Sequence, residues 1–484
     1  MNMVRTIFRS AVLLAFMLQC SLSIAQITWR RAYGALADDR GVAVRAVSED
    51  LIMAVGSTGS FGDGSSDTYL MATDGAGVRL WSRTIGGANV DRPTEMRICD
   101  NGDLIIAGVT SGEGGYDGSL VRTDADGEVL WSRTYGGSDW DFIYDVKELP
   151  DGGLLLAGQT YSFGEPGGNA WLLRTNSVGD TLWTRTFGGS GEHEALSAIA
   201  TQDGGYALAG SLNTPDRDRD VLVVKLDALG NTEWIQTHGG DSLDVARDII
   251  APAGGGYSIV GATRSASVWN EGYHLKLFPD GSFQWEFIWG QINDQEFHEH
   301  IVVTNDDYLI AGYTKTSGGG GKDMILQRVT VNGGFIYGHT FGGPEDDDGV
   351  ALDRIADGFV AIGSTETYGA GGWDIFMVRT GPNGLTASQT VLTSFDPLSV
   401  EELGPSAKPL VLFPNPSTGW IEIGFDAVLD EVRLLDALGR VVEEHRLNSG
   451  VSRITSRLPS GAYIVEATAQ NGELRRGRIL IERP

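Results

Sequence analysis

Glu296, His298 and His300 lie in one six-residue stretch, Gln-Glu-Phe-His-Glu-His at positions 295–300. On a β-strand, side chains two residues apart point to the same face, so His298 and His300 are placed as two metal ligands would be. Two histidines without a third identified ligand are more often surface or core residues, and that alternative stays open. The stretch departs from a repeat described below, and such departures often mark function. The predicted ligand-facing patch comprises Trp269, Tyr273, Trp289, Glu296, His298 and His300.

A second set of candidate residues is a series of acids, found in every repeat nine to eleven residues after a tryptophan position. Five of them are Asp39, Asp91, Asp141, Asp244 and Asp347. If the strands share one register, the carboxylates form a ring that could bind calcium, which takes six to eight oxygen ligands, or attract a cationic partner. Alternatively, each carboxylate accepts N–H hydrogen bonds within its own tight corner. A feature present in every repeat suits a structural role better, so we prefer that interpretation and predict no cofactor, with calcium as the alternative.

Motifs of common hydrolases and nucleotide-binding enzymes are absent: the sequence has no Gly-x-Ser-x-Gly, no His-Glu-x-x-His and no phosphate-binding loop. The formal net charge of −28 disfavours nucleic acid and anionic membranes as partners. Three functions remain. We prefer a non-catalytic binding or adhesion module for an unknown extracellular protein or glycan. The alternatives are a surface glycan-active hydrolase or lyase and a structural surface-layer component, so catalysis stays an open question.

An internal repeat organises most of the chain. Tryptophan or its replacement recurs every 50–52 residues, at Trp29, Trp81, Trp131, Trp183, Trp234, Trp285, Tyr337 and Ser388. A glycine after a short apolar run recurs with the same period, at Gly56, Gly108, Gly158, Gly210, Gly261, Gly312 and Gly363. In the second unit, four apolar segments (94–99, 104–108, 118–123 and 129–135) alternate with turn residues and show no helical period. This pattern predicts an all-β fold whose units are four-stranded propeller blades.

The seven glycine markers predict a seven-bladed β-propeller over residues 26–395. The predicted units lie near 35–86, 87–136, 137–188, 189–239, 240–290, 291–342 and 343–394. Closing the ring buries faces that a lone blade would expose. The tryptophan series has one member too many. We interpret 27–33 as the strand that completes the last blade, with the copy around Ser388 displaced, but the reverse assignment stays open.

Residues 1–25 have the features of a secretory signal peptide: Arg5 and Arg9, a short apolar run and a small-residue cleavage site. A lipid anchor on Cys20 is the alternative, although Gln19 stands where a lipobox requires a small residue. Cleavage would remove two arginines and no acid, which lowers the net charge from −28 to −30. Cys99 would then be the one cysteine left, so no intrachain disulfide is expected. No later stretch is apolar for the length that a membrane span requires.

The composition changes after a predicted linker at 396–409. Residues 410–484 contain seven short apolar segments, at 411–413, 420–425, 431–435, 441–447, 451–458, 462–467 and 476–481. Turn residues separate these segments, and the pattern predicts a small Ig-like β-sandwich.

The C-terminal region also resembles the C-terminal sorting domain (type A) of the type IX secretion system. The resemblance depends on three motifs in order, Phe-Pro-Asn-Pro-Ser-Thr-Gly at 413–419, Leu-Asp-Ala-Leu-Gly-Arg-Val-Val at 435–442 and Leu-Pro-Ser-Gly-Ala-Tyr-Ile-Val at 458–465, and on a basic last strand. The residues that match the motifs are Pro414, Asn415, Pro416, Gly419, Asp436, Gly439, Gly461 and Tyr463. The resemblance to the sorting domain implies a Gram-negative bacterium, Sec export and recognition by the type IX translocon and its sorting machinery. Removal of the tail and release, or attachment to the outer-membrane surface, would follow.

The repeat is also similar to a family of secreted bacterial propellers. The shared pattern is Trp-x-x-x-[Tyr/Phe]-Gly-Gly, then an acid, then Asp-Gly-Gly before an apolar run, as at 151–153 and 203–205. Members of that family commonly lack an assigned ligand, so this resemblance implies the architecture and leaves the function open.

Overall fold

A computed structural model describes residues 27–112, 114–214, 217–290, 293–388 and 390–395. In the C-terminal region it describes 411–413, 417, 420–424, 429–435, 441–446, 453–459, 461–469 and 474–481. The predicted signal peptide (1–25) and linker (396–409) lie outside these ranges. The described residues form 36 strands and a single 3-10 turn, Thr304–Asp306, and contain no α-helix. The all-β prediction is therefore confirmed.

The first strand, β1 (Trp29–Gly34), belongs to a sheet whose other strands lie at the C-terminal end of the repeat region, after residue 350. The strands that follow form six antiparallel sheets of four consecutive strands each, and a short parallel pairing of Gly167 with Gly191 and of Gly168 with Glu192 links the third of them to the fourth. Sheets 1 to 3 are β2–β5 (Asp39–Ser48, Leu51–Thr58, Asp67–Asp74, Arg79–Ile85), β6–β9 (Asp91–Ile98, Leu104–Gly112, Gly115–Thr123, Val129–Tyr135) and β10–β13 (Asp141–Glu148, Leu154–Thr160, Gly167–Thr175, Thr181–Phe187). Sheets 4 to 6 are β14–β17 (Gly191–Ala200, Tyr206–Thr214, Arg217–Leu226, Thr232–His238), β18–β21 (Asp244–Ile250, Tyr257–Thr263, Glu271–Leu277, Phe283–Trp289) and β22–β25 (Gln295–Val302, Tyr308–Thr314, Asp323–Val329, Phe335–Phe341).

Sheet 7 joins the two ends of this region. It contains β26 (Ala351–Ile355), β27 (Gly358–Thr365) and β28 (Asp374–Thr380), and β1 pairs antiparallel with β28. Strand β29 (Val391–Phe395) then adds to β1 in parallel. The N-terminal strand is therefore the fourth strand of sheet 7, and the later copy lies at the outer edge.

Apolar cores lie between neighbouring sheets, because each sheet has two faces to bury. Leu155 and Leu172 of sheet 3, for example, share a core cluster with Leu208 and Leu222 of sheet 4. The same arrangement occurs between the last and first sheets, where Ile375 of sheet 7 lies in one cluster with Val44, Ile52 and Met71 of sheet 1. Sheet 7 thus packs on sheet 1 as consecutive sheets pack on each other.

The periodic tryptophans connect neighbouring sheets. Trp81 on β5 lies against Gly127, in the turn between the third and fourth strands of sheet 2, and Trp234 on β17 lies against Gly281 of sheet 5. These glycines have φ near +80°, a conformation that a residue with a Cβ rarely adopts, and the indole leaves no room for one. Trp29 makes the same contact from sheet 7 to Gly77 of sheet 1, and its Nε1 donates to Gly75 O at 3.0 Å. The repeat in the sequence is thus a repeated contact between sheets.

The C-terminal region forms two sheets. Sheet 8 contains β30 (Val411–Phe413), β31 (Trp420–Gly424) and β34 (Arg453–Thr455). Sheet 9 contains β32 (Leu429–Leu435), β33 (Val441–Arg446), β35 (Gly461–Ala469) and β36 (Leu474–Ile481). Ile421 and Ile454 of sheet 8 share one buried cluster with Val432, Val465 and Ile479 of sheet 9. The Ig-like assignment of this region stays a prediction.

Candidate functional site

One cavity of about 320 Å³ is lined by residues from the first strand, or the residue just before it, of each of sheets 1 to 7. In sheets 1 to 6 the first strand carries a β-bulge, an extra residue without its own partner on the next strand. A bulge redirects a side chain locally. The bulged residues all line the cavity and are Val42, Thr94, Tyr144, Leu196, Arg247 and His298. Val350, which directly precedes β26, and Ala351 complete the wall in sheet 7.

Charged side chains from different sheets are paired around the cavity. Arg45 Nη2 lies 2.7 Å from Glu95 Oε1 and 2.9 Å from Glu299 Oε1. Arg97 Nη2 also contacts these two carboxylates, at 3.1 and 3.5 Å, and Lys147 Nζ lies 2.7 Å from Asp145 Oδ1. Burial acts to lower the pKa of Arg45, but Glu299 and Glu95 raise it above its ordinary value, so the guanidinium stays charged. These ion pairs connect the first strands of sheets 1, 2 and 6 around the cavity.

A hydrogen-bonded chain extends from the cavity into the core between sheets 5 and 6. Asp248 Oδ2 lies 2.8 Å from His300 Nδ1, and His300 Nε2 lies 3.0 Å from Ser258 Oγ. Ser258 Oγ also lies 2.8 Å from His274 Nε2. Burial holds the pKa of His274 well below its usual value, so that ring is neutral. The order Asp-His-Ser is that of a hydrolytic triad, but the Ser258 hydroxyl has no access to solvent and cannot meet a substrate.

Glu296 and His298 are brought together beside the cavity. The Glu296 carboxylate lies 2.6 Å from Arg247 Nη2 and accepts a hydrogen bond from Tyr313 Oη at 3.2 Å. Burial acts to raise the pKa of Glu296, but His298 and Arg247 together lower it. Burial lowers the pKa of His298 to about 4, so this imidazole is neutral at neutral pH. Lys322 Nζ lies 4.0 Å from the centre of the Tyr313 ring, which adds a cation to the group.

The other residues of the predicted ligand patch lie elsewhere. The bulge at His298 turns His300 away from the cavity, so the two imidazoles do not share a face. Tyr273 is buried and its hydroxyl donates to Glu286 Oε2 at 2.7 Å. Trp289 packs between Phe287 and Phe335 on outer strands. Trp269 is exposed in the connection between β19 and β20.

The acids of the predicted calcium ring each accept a hydrogen bond within their own corner. The donor is the backbone N–H four residues earlier: Ala35 for Asp39, Gly87 for Asp91, Gly137 for Asp141, Gly240 for Asp244 and Gly343 for Asp347, at 2.7–2.9 Å. These are the N–H hydrogen bonds that we expected if each carboxylate stabilises its own corner and binds no metal. Within the described ranges, no group of three or more His, Cys, Asp or Glu side chains is arranged to hold a metal ion. Calcium at these corners stays an untested alternative.

Sequence reasoning missed most of the charged residues at the cavity. Glu95, Asp145, Asp248 and Glu299 each follow the marker tryptophan by 14 residues, and Arg45, Arg97 and Lys147 follow it by 16. The signal was an ionisable residue in the first strand, repeated at two fixed positions of the unit, 14 and 16 residues after the marker. Such a residue is costly to bury alone, so its repetition indicates partners in neighbouring units.

Two of the predicted sorting-motif residues are described. Gly461 begins β35, and Tyr463 is buried, with its hydroxyl donating to Pro459 O at 3.1 Å. Pro414, Asn415, Pro416, Gly419, Asp436 and Gly439 lie outside the described residues.

Comparison with solved structures gives distant matches. A WD40 domain of Pan2 from Neurospora crassa is 10% identical, with 73% of this chain and 99% of that chain covered and a TM-score of 0.44. The β-propeller domain of a trilobed protease from Pyrococcus furiosus is 9% identical, with 76% and 100% covered and a TM-score of 0.38. The extracellular domain of a hybrid two-component system from B. thetaiotaomicron is 15% identical, with a TM-score of 0.42. That match covers 92% of this chain and 57% of that chain. At these values, the matches carry no functional assignment.

The family comparison concerns the C-terminal region. No curated protein matches the chain. In the part of the chain that the structure describes, no helix is long and apolar enough to cross a membrane. Residues 411–482 match the family described as the secretion system C-terminal sorting domain. This tail indicates a secreted or cell-surface protein that is handled by the type IX machinery.

Proposed function

We propose that the chain is a closed seven-bladed β-propeller that binds an extracellular ligand at its central cavity without catalysing a reaction. The observation that carries the proposal is the cavity wall, to which sheets 1 to 7 each contribute their innermost residues. The core cluster shared by sheets 7 and 1 supports closure of the ring. The propeller would be exported through the Sec and type IX routes, with the tail removed and the mature protein released or attached to the surface.

A binding role is supported by the state of the charged groups. Arg45 and Arg97 pair with Glu95 and Glu299, so two cations balance two carboxylates and these ion pairs fix the shape of the cavity. Pre-formed concave sites with a few fixed polar groups are typical of ligand recognition. Tyr144, Arg247 and His298 lie at the same cavity and add aromatic and polar contacts for a ligand.

A surface glycan hydrolase or lyase is the second candidate. One observation favours it: His298 is neutral, lies next to Glu296 and Arg247, and has the Tyr313 ring 6.0 Å away. A neutral imidazole can accept a proton, and a tyrosine or carboxyl group can deliver one. The ion pair between Glu296 and Arg247 keeps that carboxylate charged, which makes it a poor proton donor.

The test uses the purified full chain with arrays of extracellular proteins and polysaccharides, followed by product analysis on every ligand that binds. We expect binding without turnover, and His298→Ala should weaken it at least about fivefold, the loss of about 1 kcal/mol. His339→Ala, on the outer strand β25, is the matched control and should bind normally. Turnover that His298→Ala abolishes would establish the enzyme instead, and a chain that binds nothing on either array would contradict the proposal.

A further inference from the structure

A row of four aromatic side chains crosses the end of the ring at which the first strands begin. This aromatic row consists of Tyr116 on β8, Trp140 just before β10, and Phe142 and Tyr144 on β10. The ring centre of Tyr116 lies 6.0 Å from the ring centre of Trp140 and 6.0 Å from that of Phe142. Phe142 and Tyr144 are parallel within 4° at 6.1 Å. The row ends at the cavity, because Tyr144 is the bulged residue of β10 and lines its wall.

The row is open to solvent, most of all at Trp140. Trp140 is 49% exposed, and the other three rings are partly exposed. Trp140 lies outside the tryptophan repeat, and core packing is the usual fate of such a residue. Gly115 lies directly beneath the indole, where any Cβ would collide with it. The exposed indole of Trp140, which packs on Gly115, and the three neighbouring rings together form an apolar surface. No other described part of sheets 2 and 3 covers this surface.

We propose that the aromatic row binds the sugar rings of a neutral polysaccharide and directs the chain toward the central cavity. This proposal rests on the binding function proposed above and adds a ligand class and a binding site to it. Aromatic faces stack on the C–H faces of sugars. Trp140 is perpendicular to Tyr116 and Phe142 (89° and 90°), whereas Phe142 and Tyr144 are parallel, so the row offers ring faces in two orientations. Hydrogen-bonding groups flank the row: Tyr144 Oη lies 3.3 Å from Gln159 Oε1, and Tyr161 Oη lies 3.4 Å from Glu192 Oε1.

Area and charge favour this ligand over others. Four partly buried rings offer much less than the roughly 800 Å² that each partner contributes to a stable protein interface. A polyanion is disfavoured by the net charge of −28 and by Asp139 and Glu192 near the row. A neutral polysaccharide needs neither a large interface nor a basic surface, and it is a ligand of the extracellular space that the sorting tail indicates.

The experiment is affinity electrophoresis of the full chain in gels containing hydroxyethyl cellulose, galactomannan or, as the acidic probe, polygalacturonate. We expect retardation by a neutral polysaccharide, and Trp140→Ala should lower the affinity about tenfold, as expected for the loss of one stacked ring. Tyr116→Ala should weaken binding in the same direction. Phe283→Ala is the matched control, because Phe283 is 52% exposed but lies on the outer strand β21, away from the row.

The outcomes separate this inference from the proposed function. If a neutral polysaccharide binds and Trp140→Ala binds equally well, the row is not the site, but the binding function stands. If only polygalacturonate or a protein on the array binds, the ligand class is wrong. If no probe of either kind binds, both proposals fail. Equal melting temperatures for the wild type and Trp140→Ala show that the variant is folded.

Discussion

Arg45 and Glu299 form an ion pair of 2.9 Å although 254 residues separate them in the sequence. Arg45 lies on the first strand of sheet 1 and Glu299 on that of sheet 6. Glu299 also accepts the backbone N–H of Leu352 in sheet 7, at 2.9 Å, and contacts Arg97 of sheet 2. One buried carboxylate therefore connects four sheets across the cavity.

Replacing Glu299 is expected to destabilise the whole ring. Glu299→Ala leaves Arg45 and the Leu352 N–H without this acceptor, and removing one partner of a buried ion pair costs about 3–5 kcal/mol. Thermal unfolding followed by circular dichroism measures the effect. Glu128→Ala is the control, because its pair with Arg83, at 3.3 Å, is exposed and should contribute less than about 1 kcal/mol. Equal losses for both variants would contradict a structural role for the cavity network.

The carboxyl groups of Asp374 and Asp39 predict a pH dependence of stability. Both lie against Gly34, where a Cβ would meet the two carboxylates. Burial, with a further contribution from Asp39, raises the pKa of Asp374 to about 7. Because this exceeds the value of about 3.9 in the unfolded chain, the protonated group favours the folded state. The stabilisation is complete below about pH 4 and is lost as the pH rises through 7.

Asp374→Asn tests that prediction, because an amide cannot ionise. We expect its melting temperature to exceed that of the wild type by a larger margin at pH 8 than at pH 5. Asp126→Asn, at an exposed turn, is the control and should follow the wild type at both values. If the stability of the wild type increased from pH 5 to pH 8 as much as that of Asp374→Asn, the predicted direction of the pH dependence would be wrong.

Ser258 is expected to contribute to stability and not to chemistry. Ser258→Ala removes the hydroxyl between His300 Nε2 and His274 Nε2, which leaves buried nitrogen atoms without this partner and costs about 1–3 kcal/mol. Urea denaturation measures the loss, and Ser132→Ala on an exposed strand position is the control. Any hydrolytic activity of the wild type should survive in Ser258→Ala. Its complete loss in a folded variant would identify Ser258 as a nucleophile.

Calcium should leave the stability of the ring unchanged, because the corner carboxylates already accept hydrogen bonds from their own backbone. A bound ion at 100 times its dissociation constant would add about 2.7 kcal/mol per site. Melting temperatures with millimolar calcium and with a chelator should therefore agree within about 2 °C. A large increase with calcium, abolished by Asp141→Asn, would establish the ring of calcium sites instead.

The strands, their turns and the export tail could be predicted from the sequence because each depends on neighbouring residues. Alternation and turn residues set the strands: the prediction of 129–135 coincides with β9 (Val129–Tyr135). The period of the tryptophans could also be read from the sequence. The contact that each tryptophan makes with a glycine of the next sheet could not. The sorting motifs are also local, and the family match covers them.

The candidate site depends on tertiary structure. A bulge at His298, which the alternating pattern does not reveal, sends His298 to the cavity and His300 into the core. Arg45 meets Glu299 because the first strands of sheets 1 and 6 face one cavity, and Trp140 packs on Gly115 of the preceding sheet. Side-chain alternation acts over two residues, whereas these contacts join residues from about 25 to more than 250 positions apart. The sequence alone determined which units repeat, and only the packing of the sheets on one another decided which of their side chains meet.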